Sequence, residues 1–161
     1  VTQSIITTLL WFSALGCGLL AGLYFAFSTF IMTALGQIGQ APGISAMNAI
    51  NAVIQRSLFM PFFFGTTLVS LALAVLALFR WGEPGTALML AAGVVYVLGM
   101  FVCTVIFNVP LNNALDAVDP ASAQAAPVWA RYLQDWTLWN HVRTAACLAA
   151  SALYIAAIAA R

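Results

Sequence analysis

Four long apolar stretches, residues 5–35, 58–81, 86–109 and 129–160, take up most of this 161-residue chain. A helix that crosses a bilayer needs about 20 mostly apolar residues, and each stretch is long enough. Hydrophobic residues make up 64% of the sequence and charged residues only 6%, against roughly a quarter charged in soluble domains. A water-soluble fold of this length leaves too much of its surface exposed to hide such a composition. Alternation with a period of two is absent, which argues against a transmembrane barrel. The pattern predicts an all-α membrane protein. Its expected form is an antiparallel four-helix transmembrane bundle over residues 1–161, with a short amphipathic segment before the second span.

The breaks between spans carry their own signals. Gly36, Gly39, Pro42 and Gly43 interrupt the chain after the first span. Residues 45–56 then resume a helical but polar pattern with Asn48, Asn51, Gln55 and Arg56, suited to the interface or to covering the bundle end. The link Trp81-Gly82-Glu83-Pro84-Gly85 is short enough to join antiparallel neighbours. Pro110 is expected to close the third span, leaving residues 112–127 as the longest loop. Gly18, Gly22, Ala26, Thr29, Thr33 and Gly36 form a small-residue stripe on the first span, suited to close helix packing within the monomer or in an oligomer.

Net charge is +1, with five arginines and no lysine, so no basic surface for nucleic acid is present. Cys17, Cys103 and Cys147 fall inside apolar segments without metal-ligand spacing and are expected to act as small packing residues. A single histidine offers no second ligand for haem or metal, so neither metal nor cofactor is expected. The first span lacks a positive leader and is read as a retained membrane helix. An even number of spans places both termini on one side. Arginines divide evenly between the sides and do not fix orientation; the expected setting is a bacterial inner membrane with cytoplasmic termini.

Topology gathers polar side chains at the other end of the bundle. Asn48, Asn51, Gln55 and Arg56 meet Asn108, Asn112 and Asn113 there, together with Trp136, Trp139, Asn140, His141, Arg143 and Thr144 at the start of the last span. At about 100° per residue, Trp136, Trp139, Asn140, Arg143 and Cys147 share one sector of that helix, whereas His141 points roughly opposite Arg143. Asn48, Asn51, Gln55, Phe59 and Phe62 share a face on the segment leading into the second span. A pocket of amides, Arg143, tryptophans and phenylalanines is expected, with Tyr24 and Thr104 as its floor. Each residue also has a plainer role. The tryptophans can anchor the interface; the asparagines can cap or tie helices. Arg143 can pair with a carboxylate such as Asp135, cap carbonyls, or bind a ligand anion. His141 is either a general base or a hydrogen-bonded structural residue.

Asn108-Val109-Pro110-Leu111-Asn112, followed by Trp136-Thr137-Leu138-Trp139-Asn140-His141-Val142-Arg143-Thr144, resembles the anthrone oxygenase-like family of small four-span membrane proteins. Tyr24-Phe25-Ala26-Phe27-Ser28 and residues 51–56 leading into Met60-Pro61 fit the same family. The resemblance implies a cofactor-independent oxygenation of a delocalised anion derived from a flat polycycle. On that reading His141 is the base, and Arg143 with Asn140 and Asn112 stabilises the developing negative oxygen. Trp136, Trp139 and Phe62 stack on the rings, with Asn51, Gln55, Phe59, Asn108 and Tyr24 completing the substrate site. If His141 and Arg143 face different ways, another base or a water relay must act.

The expected function is therefore a membrane oxygenase or oxidoreductase acting on a lipophilic anthrone- or quinol-like molecule. The alternative is a non-enzymatic helical scaffold or accessory subunit of a larger membrane complex, or a homo-oligomer, for which the small-residue stripes and short loops are suited. Transport is less attractive, since four spans without broken-helix repeats lack the usual architecture.

Overall fold

The computed structural model describes residues 2–161, whose regular structure is all helical. There are five helices: α1 (Gln3–Gln37), α2 (Gln40–Ile54), α3 (Phe59–Phe79), α4 (Thr86–Asp116) and α5 (Ala125–Ala159). All but α2 are long and apolar enough to cross a membrane. Around the bundle α1 packs on α3 and α5, and α4 closes the ring between them, so every neighbour is antiparallel. The α3–α4 hairpin turns through Gly82 and Gly85, with φ of 95° and 78°, and Arg80 Nε donates to Glu83 Oε1 across it at 2.9 Å.

Buried apolar side chains form two clusters. One, with Leu10, Cys17, Met89, Tyr96, Cys147 and Tyr154, fills the bundle interior. The other, with Met32, Ile44, Met47, Leu115, Trp129 and Tyr132, lies under α2, which packs across the bundle end. Trp129 is thus a core residue of this cap and not an exposed interfacial anchor.

The break expected after the first span occurs at Ile38 and Gly39 and not at Pro42, and the break expected at Pro110 does not occur. The helix runs through Pro110 to Asp116 because a wide π-helical turn, Thr104–Asn108, precedes it, and Pro110 falls in the first turn of the α-helical segment Val109–Asp116. A proline there forfeits no intrahelical hydrogen bond. Pro42 likewise sits in the first turn of α2, where Gly43 N donates to Gly39 O at 3.0 Å. The expected loop of residues 112–127 shrinks to 117–124 as a result.

Within the predicted stripe Gly18 and Gly36 are in ordinary contact with α5, a Cβ on them lying 3.5 Å from Ser151 Oγ and 3.4 Å from Leu133 Cδ1, but the tightest approaches fall at other glycines. A Cβ on Gly22 would meet nothing within 4 Å, whereas one on Gly99 would lie 2.5 Å from Ala146 Cβ and one on Gly93 2.7 Å from Ala74 Cβ. Gly99→Val should therefore force α4 off α5 and lower stability by about 1–3 kcal/mol. Gly22→Val should change it little. Thermal unfolding in one detergent compares the two.

Candidate functional site

Arg143 decides the character of this region. It is 5% exposed, and within the described residues the only ion pairs are Arg80–Glu83 and Arg131–Asp135. Asp135, a carboxylate expected as a possible partner, is engaged by Arg131 at 3.1 Å. The guanidinium is held instead by neutral groups. Its Nη2 donates to Asn140 Oδ1 at 2.7 Å and its Nη1 to Thr104 Oγ1 at 3.5 Å. Its Cζ lies 4.4 Å from the Tyr24 ring centre and 5.0 Å from that of Trp136, close enough for each ring face to attract the cation.

Asn140 is the hinge pin of this arrangement. Its Nδ2 donates to Tyr24 O and to Ser28 Oγ, both at 2.7 Å. Ser28 and Thr144 hydroxyls lie 3.2 Å apart, and Thr144 Oγ1 donates to Asn140 O at 2.9 Å. All three bonds are satisfied when Asn140 donates to Ser28, Ser28 to Thr144, and Thr144 back to the backbone.

Wide turns supply the unusual acceptors. α1, α4 and α5 each contain π-helical turns near the cap: Phe27–Ile31, Val97–Val102 with Thr104–Asn108, and Tyr132–Trp136. Such turns disrupt the ordinary carbonyl ladder and are frequent at functional sites. Tyr24 O, just before one of them, takes the Asn140 amide, and Trp136 O, at the end of another, takes Asn108 Nδ2 at 3.2 Å. The turn in α5 also lines up Trp129, Tyr132 and Trp136 as a stacked ladder with ring centres 5.8 Å and 5.7 Å apart. Tyr132 Oη donates to Asn112 Oδ1 at 2.7 Å.

A cavity of about 470 Å³ opens at the seam between the two apolar clusters, with Arg143 in its wall. Small-molecule sites run from about 300 to 1,000 Å³. Of the expected site residues, Tyr24, Asn51, Gln55, Phe59, Asn112, Trp136 and Arg143 line it. Asn140 and Asn108 are fully buried behind the wall and act through Arg143 and the Trp136 backbone. Trp139, Phe62 and His141 are not brought in. Trp139 stacks on Phe107 with ring centres 3.6 Å apart. Phe62 is 41% exposed, because the helix ends at Ile54 and restarts at Phe59, which turns Phe63 inward instead. His141 is exposed on the outer face of α5, as its angle to Arg143 requires.

Phe27, Met47, Ile50 and Phe63 also line the cavity and were not singled out from the sequence. Three lining residues carry buried donors without a partner: Arg143 Nε, Trp136 Nε1 and Asn51 Nδ2. Among the described residues no carboxylate or imidazole lines the cavity, and no three His, Cys, Asp or Glu are grouped to hold a metal.

A family model described as Anthrone oxygenase matches residues 57–153, more than half of the chain. The chain belongs to the anthrone oxygenase family. The matched stretch carries α3, α4 and most of α5, and with them Asn108, Asn112, Trp136, Asn140 and Arg143. Tyr24, Asn51 and Gln55 lie outside it, on α1, α2 and just beyond α2. No curated protein and no solved structure matches.

Proposed function

We propose that this anthrone oxygenase family member is a membrane-embedded oxygenase. It takes the conjugate base of a lipophilic anthrone- or quinol-like molecule into the cavity, where the anion reacts with dioxygen without a bound cofactor. The observation that carries this reading is the buried guanidinium with no carboxylate partner in the wall of a largely apolar cavity whose other polar lining groups are uncharged. Burying such a charge is costly unless something compensates it, and its own unpartnered Nε, with Trp136 Nε1 and Asn51 Nδ2 also unpartnered in the same wall, suits an oxyanion.

The chemistry follows from that charge. A benzylic ketone loses a proton to give an enolate whose oxygen lies against Arg143. Its carbon gives one electron to dioxygen, the resulting radical and superoxide combine, and protonation yields a hydroperoxide. Loss of water from that carbon leaves a second carbonyl, so one CH₂ and one O₂ become one C=O and one H₂O. Guanidinium and indole donors preorganised at the oxygen stabilise the charge throughout. The proton leaves toward Asn51, Gln55, Asn112 and Asn113, which line the polar side of the cavity. Because ionisation is assisted by Arg143, water suffices as the base and His141 has no part.

Purified protein in detergent, given emodin anthrone as probe, is expected to consume oxygen faster than the spontaneous reaction, with one quinone formed per oxygen. His141→Gln should keep that rate. A rate equal to the protein-free control would overturn the oxygenase reading and leave a ligand-binding or scaffold role.

A further inference from the structure

The cavity wall thins where α3 and α4 part. Near the hairpin the two helices pack closely, but toward the cap Thr104–Asn108 packs on α5 and on its own helix. Phe64 and Val105 line the cavity and are 48% and 51% exposed, more than any other apolar residue lining it. Phe64 lies five residues into α3, about 7 Å along the span at 1.5 Å per residue, so its outer side meets acyl chains and not water. Met60 and Val109 flank the same gap, and the Phe64 and Phe101 rings, 6.4 Å apart between centres, meet edge to face across its floor. The amide-lined mouth formed by Asn51, Gln55, Asn112 and Asn113 lies further toward the cap, about one to two helical turns beyond Val105 and Val109, and continues into a polar vestibule with Arg56 and Asp116. The cavity thus meets two media through chemically different walls.

We propose that the gap between α3 and α4, with Phe64 and Val105 as its lips, is a lateral portal through which a lipophilic aromatic ligand passes from the bilayer into the cavity. An apolar polycycle partitions into hydrocarbon, so a route from the acyl region spares it the cost of stripping water from the amide mouth. That mouth is left for protons and water. Neither oxygen chemistry nor Arg143 requires a portal here, so it stands or falls apart from the oxygenase reading.

Met47 provides a probe position, since it lines the cavity but is only 1% exposed. The full chain carrying Met47→Cys, reconstituted in phosphatidylcholine vesicles, is treated with bilayer-dissolved N-cyclohexylmaleimide. Wild type sets the baseline for the buried Cys17, Cys103 and Cys147. The introduced thiol should react well above that baseline. Val105→Trp should slow the reaction by at least an order of magnitude, Phe64→Ala should speed it severalfold, and Asn113→Trp should leave it unchanged. Should Val105→Trp fail to fold, the Phe64→Ala acceleration carries the test. A rate indifferent to both lips, a rate blocked by Asn113→Trp, or an unreactive thiol overturns the portal. Labelling of the expected pattern without anthrone-dependent oxygen uptake would instead keep the portal and remove the oxygenase.

Discussion

Arg143→Met is expected to cut anthrone-dependent oxygen uptake by about two to three orders of magnitude, the usual cost of removing an oxyanion donor, without lowering stability. The second half of that expectation is the sharper one. Removing the guanidinium recovers the desolvation cost of a buried ion, which is several kcal/mol. Against it stand the loss of two ring contacts, about 0.5–2 kcal/mol each, and of the donor to Asn140 Oδ1, about 1–3 kcal/mol. Methionine fills much of the vacated volume and tolerates an irregular site. Gains and losses are of the same size, so unfolding in detergent should occur at the wild-type temperature or above. Oxygen uptake and thermal unfolding then move independently. If both fell together, Arg143 would be a structural pin, and the anion site would lose its support. Arg143→Lys should recover only part of the activity, since an ammonium keeps the charge but not the planar donor fork.

The membrane bundle was legible because composition and span length leave few alternatives: four helices of the expected kind are present, and their ends differ mainly at prolines. Pro110 and Pro42 misled for one reason. A proline breaks a helix where it removes a bond or its ring clashes, and both prolines sit in the first turn of their α-helical segments, where the N–H has no α-helical partner to lose. Convergence of polar groups at one end was also legible, since it follows from antiparallel topology alone. Which of them face the cavity was harder. Angular counting served within an unbroken helix, placing Trp136 and Arg143 together and His141 opposite, but it failed at Phe62, beyond the four-residue break that follows Ile54, although Phe59 still lines the cavity. The edge of the sector was uncertain too: Trp139, counted with Trp136, turned toward Phe107. Ser28 went unread because a serine in an apolar helix usually bonds its own backbone; here it closes a ring with Asn140 and Thr144.

That ring makes the second strong prediction one of coupling. Asn140→Leu should destabilise the protein by about 1–3 kcal/mol, the cost of stranding a buried polar partner. The stranded groups are Tyr24 O and the Arg143 guanidinium, each of which Asn140 holds at 2.7 Å. Hydrogen bonds between membrane helices average only about 0.6 kcal/mol, so the tie to α1 alone accounts for little of that loss. The larger share comes from a buried cation deprived of its only short acceptor. It follows that Arg143→Met should cost less stability, or none, when added to Asn140→Leu than additivity predicts, and the double variant should be more stable than Asn140→Leu by about 1 kcal/mol or more. A double-mutant cycle by thermal unfolding reads the difference directly. Strict additivity would mean that Asn140 serves the α1–α5 seam by itself and that nothing is spent on keeping Arg143 charged and aimed at the cavity. Oxygen uptake in Asn140→Leu should fall as well, because the guanidinium is then free to swing toward Thr104, whose hydroxyl is its next acceptor at 3.5 Å.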